Sequence, residues 1–191
     1  MLVLHGLGDS LEGFTWLPEY LALPRLNYLL LNAPDRYYSG FAWYDLEQPE
    51  LGVVRSRGLL TTLFAELEAQ GWASERILMF GFSQGCLMSL DFAMRHDQRL
   101  LGVVGVSGYV FAPEKLGAEM HPCAREQAVL VTHGTYDELL PLERTRAQMA
   151  HLRSLGVNLE WHEFPKTHTM DPEHEVPLIR NWLAGRLATL K

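Results

Sequence analysis

The chain has 191 residues, with 16 Lys and Arg against 23 Asp and Glu, a formal charge of −7 and 48% apolar residues. That composition excludes wholesale disorder and a disulfide-stapled framework, and residues 1–191 read as a single domain with a sizeable core. The acidic balance gives no general attraction for phosphate backbones or anionic bilayers, so no nucleic acid is expected as a partner.

Taken in chain order, short apolar runs alternate with helical patterns. The opening MLVLHGLGDSLEGF lacks the positive start of a signal peptide and carries Asp9 and Glu12 where such a peptide stays apolar. Runs at 2–4, 28–31, 77–80, 101–106, 128–132 and 157–164 predict strands, several of them apolar on both faces as in the middle of a parallel sheet. Helical spacing follows at 58–70, closed by Gly71, then after Ser83, then at 142–155, and last at 176–187 with Pro177 in the first turn. The alternation predicts an α/β fold with a mostly parallel central sheet and helices on both faces. The longest apolar run, 100–106, is far short of the ~20 residues that span a bilayer, so no integral membrane association is expected. Cys86 and Cys123 are too few for a disulfide framework and suit a reducing, cytoplasmic setting.

Two connections, 32–57 and 107–127, are long for a compact domain, and connections of that length are often functional. The first carries Tyr37, Tyr38, Phe41, Trp43 and Tyr44, which either line a substrate site or cover the edge of the core. The same exposed aromatics could instead pair two copies into a homodimer.

The segment RILMFGFSQGCLMSLDFAMRH carries the chemistry. A buried strand runs into Gly81-Phe82-Ser83-Gln84-Gly85 and a helix follows, which is the tight strand-to-helix turn that lifts a serine hydroxyl out of a sheet. The helix N-terminus points its N–H groups and positive dipole end at the same place, where an oxyanion would form. Such a serine needs a base, and the base a carboxylate, in the chain order serine, acid, histidine. Asp137 follows the strand 128–132, with Glu138 as the alternative beside it. His168 lies in the loop between the last strand and the last helix, and His174, near the start of that helix, is the alternative. The turn His5-Gly6-Leu7-Gly8-Asp9 can aim the Leu7 amide at the site beside the Gln84 amide, with His5 and Asp9 bracing the loop. His162, His168 and His174 are spaced so that no two share a helix face, and no metal or other cofactor is expected.

With LHGLGD, NAP, GFSQG, VSGY, HGTYDELLP and the late His168 in that order, the chain resembles the phospholipase/carboxylesterase family of α/β-hydrolases. That family includes acyl-protein thioesterases, lysophospholipases and small carboxylesterases. The resemblance implies an α/β-hydrolase fold with no large cap domain, Ser83 as nucleophile, Asp137 as acid, His168 as base, and oxyanion donors at Leu7 and Gln84. It also implies that the segment 32–45 flanks an acyl-binding groove. The expected substrates are small or single-chain acyl esters, with long-chain lysophospholipids or acylated proteins as the alternative. A ligand-binding module without turnover on the same fold is the rival from another class.

Overall fold

The computed structural model describes residues 1–190. Strands β1 (Leu2–Leu4), β2 (Leu29–Leu31), β5 (Leu78–Phe82), β6 (Gly102–Val106), β7 (Ala128–Gly134) and β8 (Asn158–Phe164) form one sheet in the order β2-β1-β5-β6-β7-β8. Every pairing in it is parallel. The helices are α1 (Leu17–Leu21), α2 (Pro49–Ala69), α3 (Gln84–Arg95), α4 (Pro113–Glu119), α5 (Leu142–Ser154) and α6 (Glu175–Ala188). A two-stranded antiparallel hairpin, β3 (Asp35–Tyr37) with β4 (Gly40–Ala42), stands apart from the sheet.

Alternation along the strands divides the core in two. Met79, Val103, Val129 and Val131 face Leu60, Phe64, Met88, Phe92 and Leu152 of α2, α3 and α5. Leu78, Phe80, Val104 and Leu130 point the other way, onto Leu17, Leu21, Val176, Ile179 and Leu183 of α1 and α6. A sheet covered on both faces needs apolar residues at successive positions, and this is why its strands read as continuous apolar runs. Helix α3 is buried from Gln84 to Met94. Its one carboxylate, Asp91, is neutralised by Arg95 at 2.5 Å and by Arg57 of α2 at 3.1 Å.

The six predicted strands and the helices at α3, α5 and α6 are present within a few residues. Helix α2 begins at Pro49, well before the expected 58; its first turns expose Leu51 and Val54 and carry Gly52. Neither pattern nor propensity marks such a stretch as helix. The long connections contain structure of their own, the β3–β4 hairpin in the first and α4 in the second, both too short to leave a periodic signal.

Strand β1 lies between β2 and β5, so the chain leaves it toward one edge of the sheet and later returns on its other side. Crevices at such a reversal, beyond the carboxyl ends of the strands, are where open α/β sheets bind ligands. The loop after β1 and the turn after β5 both open there, with Leu4 opposite Gly81 in the register.

Candidate active site

Ser83 follows β5 directly and caps α3 with φ 54° and ψ −115°, a conformation strained for any residue with a side chain. Its own N–H donates to Val106 O at 2.9 Å, which fixes the turn to the neighbouring strand. The two flanking glycines are required by close approach. A Cβ on Gly81 would stand 2.1 Å from Gly85 O, and a Cβ on Gly85 would stand 2.1 Å from Leu4 O. The tightness of the turn therefore depends on both, and it lifts the Ser83 hydroxyl to the end of the sheet.

His168 Nε2 lies 2.9 Å from Ser83 Oγ, and His168 Nδ1 lies 2.8 Å from Asp137 Oδ2. A ring that donates from Nδ1 to a carboxylate leaves Nε2 free to accept the serine proton. The Asp137 side chain is fully buried, and its second oxygen accepts the N–H groups of Leu139 at 3.1 Å and Leu140 at 2.9 Å. Glu138 is exposed to solvent. His174 pairs with Asp171 at 3.0 Å on the surface. Of the alternatives left open by the residues alone, Asp137 and His168 are the ones brought to Ser83.

The loop after β1 is held by His5, whose Nδ1–H donates to Gly6 O at 2.6 Å while Nε2 accepts the Ala33 N–H at 3.1 Å. Burial pushes this imidazole below its ordinary pKa, as a ring used as both donor and acceptor requires. Gly8 N–H donates to Phe41 O at 2.9 Å, so the hairpin side clamps the same loop. Among the described residues, neither the Leu7 nor the Gln84 amide donates to another protein group. Both residues line the cleft of about 560 Å³ that also contains Ser83 and His168. Two free amides beside a serine hydroxyl have the geometry to receive the negative charge of a tetrahedral intermediate.

The aromatic segment divides. Tyr44 lines the cleft, buried, with its hydroxyl 2.8 Å from that of Tyr109. Trp43 also turns inward but braces the β1 loop, donating from Nε1 to His5 O at 2.9 Å. Phe41 lies beneath the Arg36 guanidinium, and Tyr37 packs edge-on against Tyr38 at the hairpin turn, where Tyr38 is 92% exposed. Tyr37, Tyr38, Phe41 and Trp43 therefore do not line the cleft, because the hairpin carries three of them away from it and a hydrogen bond holds the fourth in the core. In their place the walls are Leu46, Tyr109, Leu139 and Leu140. Each lies on a loop beyond a helix or strand end, where side-chain direction leaves no periodic trace; only the positions of VSGY and HGTYDELLP just past strand ends point toward them.

Cys86, one turn into α3, is sealed from solvent and its thiol is pushed up to about 12 by burial, so it stays protonated and inert. Among the described residues, no group of three or more His, Cys, Asp and Glu side chains is arranged to hold a metal ion. Among the same residues, no helix is long and apolar enough to cross a membrane.

Comparison with known proteins points the same way. The family model described as phospholipase/carboxylesterase matches residues 1–185. Acyl-protein thioesterase 1 of Schizosaccharomyces pombe is 32% identical over 166 residues, covering 80% of this chain and 74% of that protein. Among solved structures, Arabidopsis thaliana SOBER1 superposes with a TM-score of 0.87 at 25% identity, covering 97% of both chains. The esterase PE8 superposes with a TM-score of 0.85 at 26% identity, covering 96% of this chain and 90% of its own.

Proposed function

The chain belongs to the phospholipase/carboxylesterase family of α/β-hydrolases and is a hydrolase, and from that premise we propose that it cleaves acyl esters through a covalent intermediate on Ser83. His168 takes the serine proton as Oγ attacks the acyl carbonyl, and Asp137 holds the ring and stabilises the imidazolium that forms. The Leu7 and Gln84 amides receive the oxyanion. Collapse of the intermediate expels the leaving group, protonated by His168, and water activated by the same ring then frees the acid and restores Ser83. The observation that carries this reading is the unbroken hydrogen-bond sequence from Ser83 Oγ through His168 to Asp137, at 2.9 and 2.8 Å.

The preferred substrates are esters of a single acyl chain. Leu46, Tyr109, Leu139 and Leu140 line both the cleft at Ser83 and an adjoining cavity of about 440 Å³ whose far side carries Glu50, Glu114, Lys115 and Arg144, so one chain has a path leading away from the serine over four apolar side chains. That path, together with the likeness to a protein named acyl-protein thioesterase 1, favours a second reading in which the acyl chain is long and the leaving group a thiol.

Hydrolysis of p-nitrophenyl esters from acetate to palmitate, by wild type and Ser83→Ala together, tests both readings. The expected loss in the variant is about a thousandfold or more in kcat. Turnover that survives the substitution would overturn the assignment of Ser83. A maximum at short chains supports a carboxylesterase, and a maximum at long chains supports the thioesterase or lysophospholipase reading.

A further inference from the structure

Lys166 stands two residues before His168, yet it is only 7% exposed. Lysines are rarely buried unless their charge is met. Here the ammonium donates to Thr169 O at 2.6 Å and to Ser107 Oγ at 3.0 Å, and it lies 2.8 Å from Glu175 Oε1. Two of its N–H bonds thus meet hydrogen-bond acceptors, and Glu175 Oε1 faces the ammonium as its ion-pair partner.

Each partner belongs to a different part of the site's frame. Thr169 is the residue after His168. Ser107 follows β6 directly with φ 48°, and its own N–H donates to Thr132 O of β7 at 2.9 Å. Glu175 is fully buried at the first position of α6, and its other oxygen accepts the Asp171 N–H at 2.9 Å. On the backbone side, Lys166 O accepts the N–H of Tyr136, next to Asp137, at 3.1 Å. The segment 165–174 contains no helix or strand, and this one side chain ties it to β6 and to α6 while its carbonyl ties it to the acid's loop.

A buried ion pair gives little stability that an apolar pair of equal volume would not. An apolar pair, however, supplies no donor for the carbonyl beside His168. We propose that Lys166 is a positioning residue, held by Glu175 and Ser107, that fixes the segment 165–175 so that His168 stands between Asp137 and Ser83. The inference rests on the reading of His168 as the base. A ring displaced by about 1 Å costs roughly a hundredfold in rate, whereas the walls that bind the acyl chain are contributed by other residues.

The test is Lys166→Met, assayed on p-nitrophenyl butyrate with thermal unfolding measured alongside. The expected result is a kcat lower by roughly ten- to a hundredfold with KM within about twofold of wild type. The far-downfield proton resonance of the His168–Asp137 hydrogen bond should broaden or vanish in the same variant. Lys166→Met/Glu175→Met removes both charges and so leaves neither one buried unpaired, and kcat should remain low. Wild-type kcat in either folded variant, or a loss confined to KM, overturns the proposal. Should the methionine variants fail to fold, Ser107→Ala decides, because it removes one acceptor and leaves the ion pair; a lower kcat is expected, and an unchanged one overturns the proposal. His168→Ala, run in parallel, separates the two failures. Full activity there removes the base and this inference together, while an inactive His168→Ala beside a fully active Lys166→Met removes the inference alone.

Discussion

The carboxamide of Gln84 accepts the Trp43 N–H at 2.9 Å, and its NH₂ group donates to Tyr44 O at 2.9 Å. The residue whose backbone amide faces the cleft thus uses its side chain to hold the opposite wall, so the strand-to-helix turn and the aromatic segment form one rigid unit. Gln84→Leu should leave two buried backbone groups without partners. We expect a loss of about 2–4 kcal/mol in urea unfolding and a higher KM from a loosened Tyr44. Unchanged stability would mean that water meets both groups.

Gly85 is the steric limit of the serine turn, since a Cβ there would press on both Leu4 O and His5 O. Gly85→Ala should destabilise the protein by about 3 kcal/mol or more. Gly58 supplies the control. It is exposed in the middle of α2 with nothing within 4 Å of its Cβ position, so Gly58→Ala should stabilise by about 0.5–1 kcal/mol. Thermal unfolding of the two variants should give shifts of opposite sign.

Burial depresses the pKa of His5 and of His133. His133 donates from Nε2 to Leu140 O at 2.9 Å and, among the described residues, has no partner at Nδ1. Unfolded histidines titrate near pH ~6.5. Below that value the unfolded chain binds protons that the folded chain does not, so stability falls as pH drops from about 6.5 toward the depressed folded values. The urea midpoint should be lower near pH 5.5 than near pH 7.5. His133→Gln, which keeps a donor near the Nε2 position, should flatten that slope; an unaltered slope would assign the proton uptake elsewhere.

Leu139 is 71% exposed and lines both the cleft at Ser83 and the adjoining cavity. Leu139→Trp should obstruct the passage between them at little cost to folding. Each buried CH₂ contributes about 0.8 kcal/mol, or roughly fourfold in kcat/KM per carbon. The variant should lose that gain for longer chains and keep acetate hydrolysis. An unchanged chain-length profile would route the acyl group elsewhere.

What the sequence by itself determined is what depends on neighbours along the chain. Apolar runs marked the strands of a sheet covered on both faces, and Gly81 and Gly85 marked the one turn tight enough to lift Ser83. The order of Ser83, Asp137 and His168 placed all three beyond strand ends. The tertiary structure decided what depends on neighbours across the fold. Asp137 and Glu138 are equivalent in sequence, and only the path of the loop turns one toward His168 and the other to water. Four of the five aromatics at 37–44 turn away from the cleft because a hairpin of two three-residue strands and the Trp43 bond to His5 O direct them, and neither leaves a periodic signal. Ser107, just past β6, and Glu175 of α6 converge on the Lys166 ammonium, and no pattern in the chain announces that burial. A side chain's environment is made by elements distant in sequence, and that is why Ser83, Asp137 and His168 could be singled out along the chain while the walls and braces around them could not.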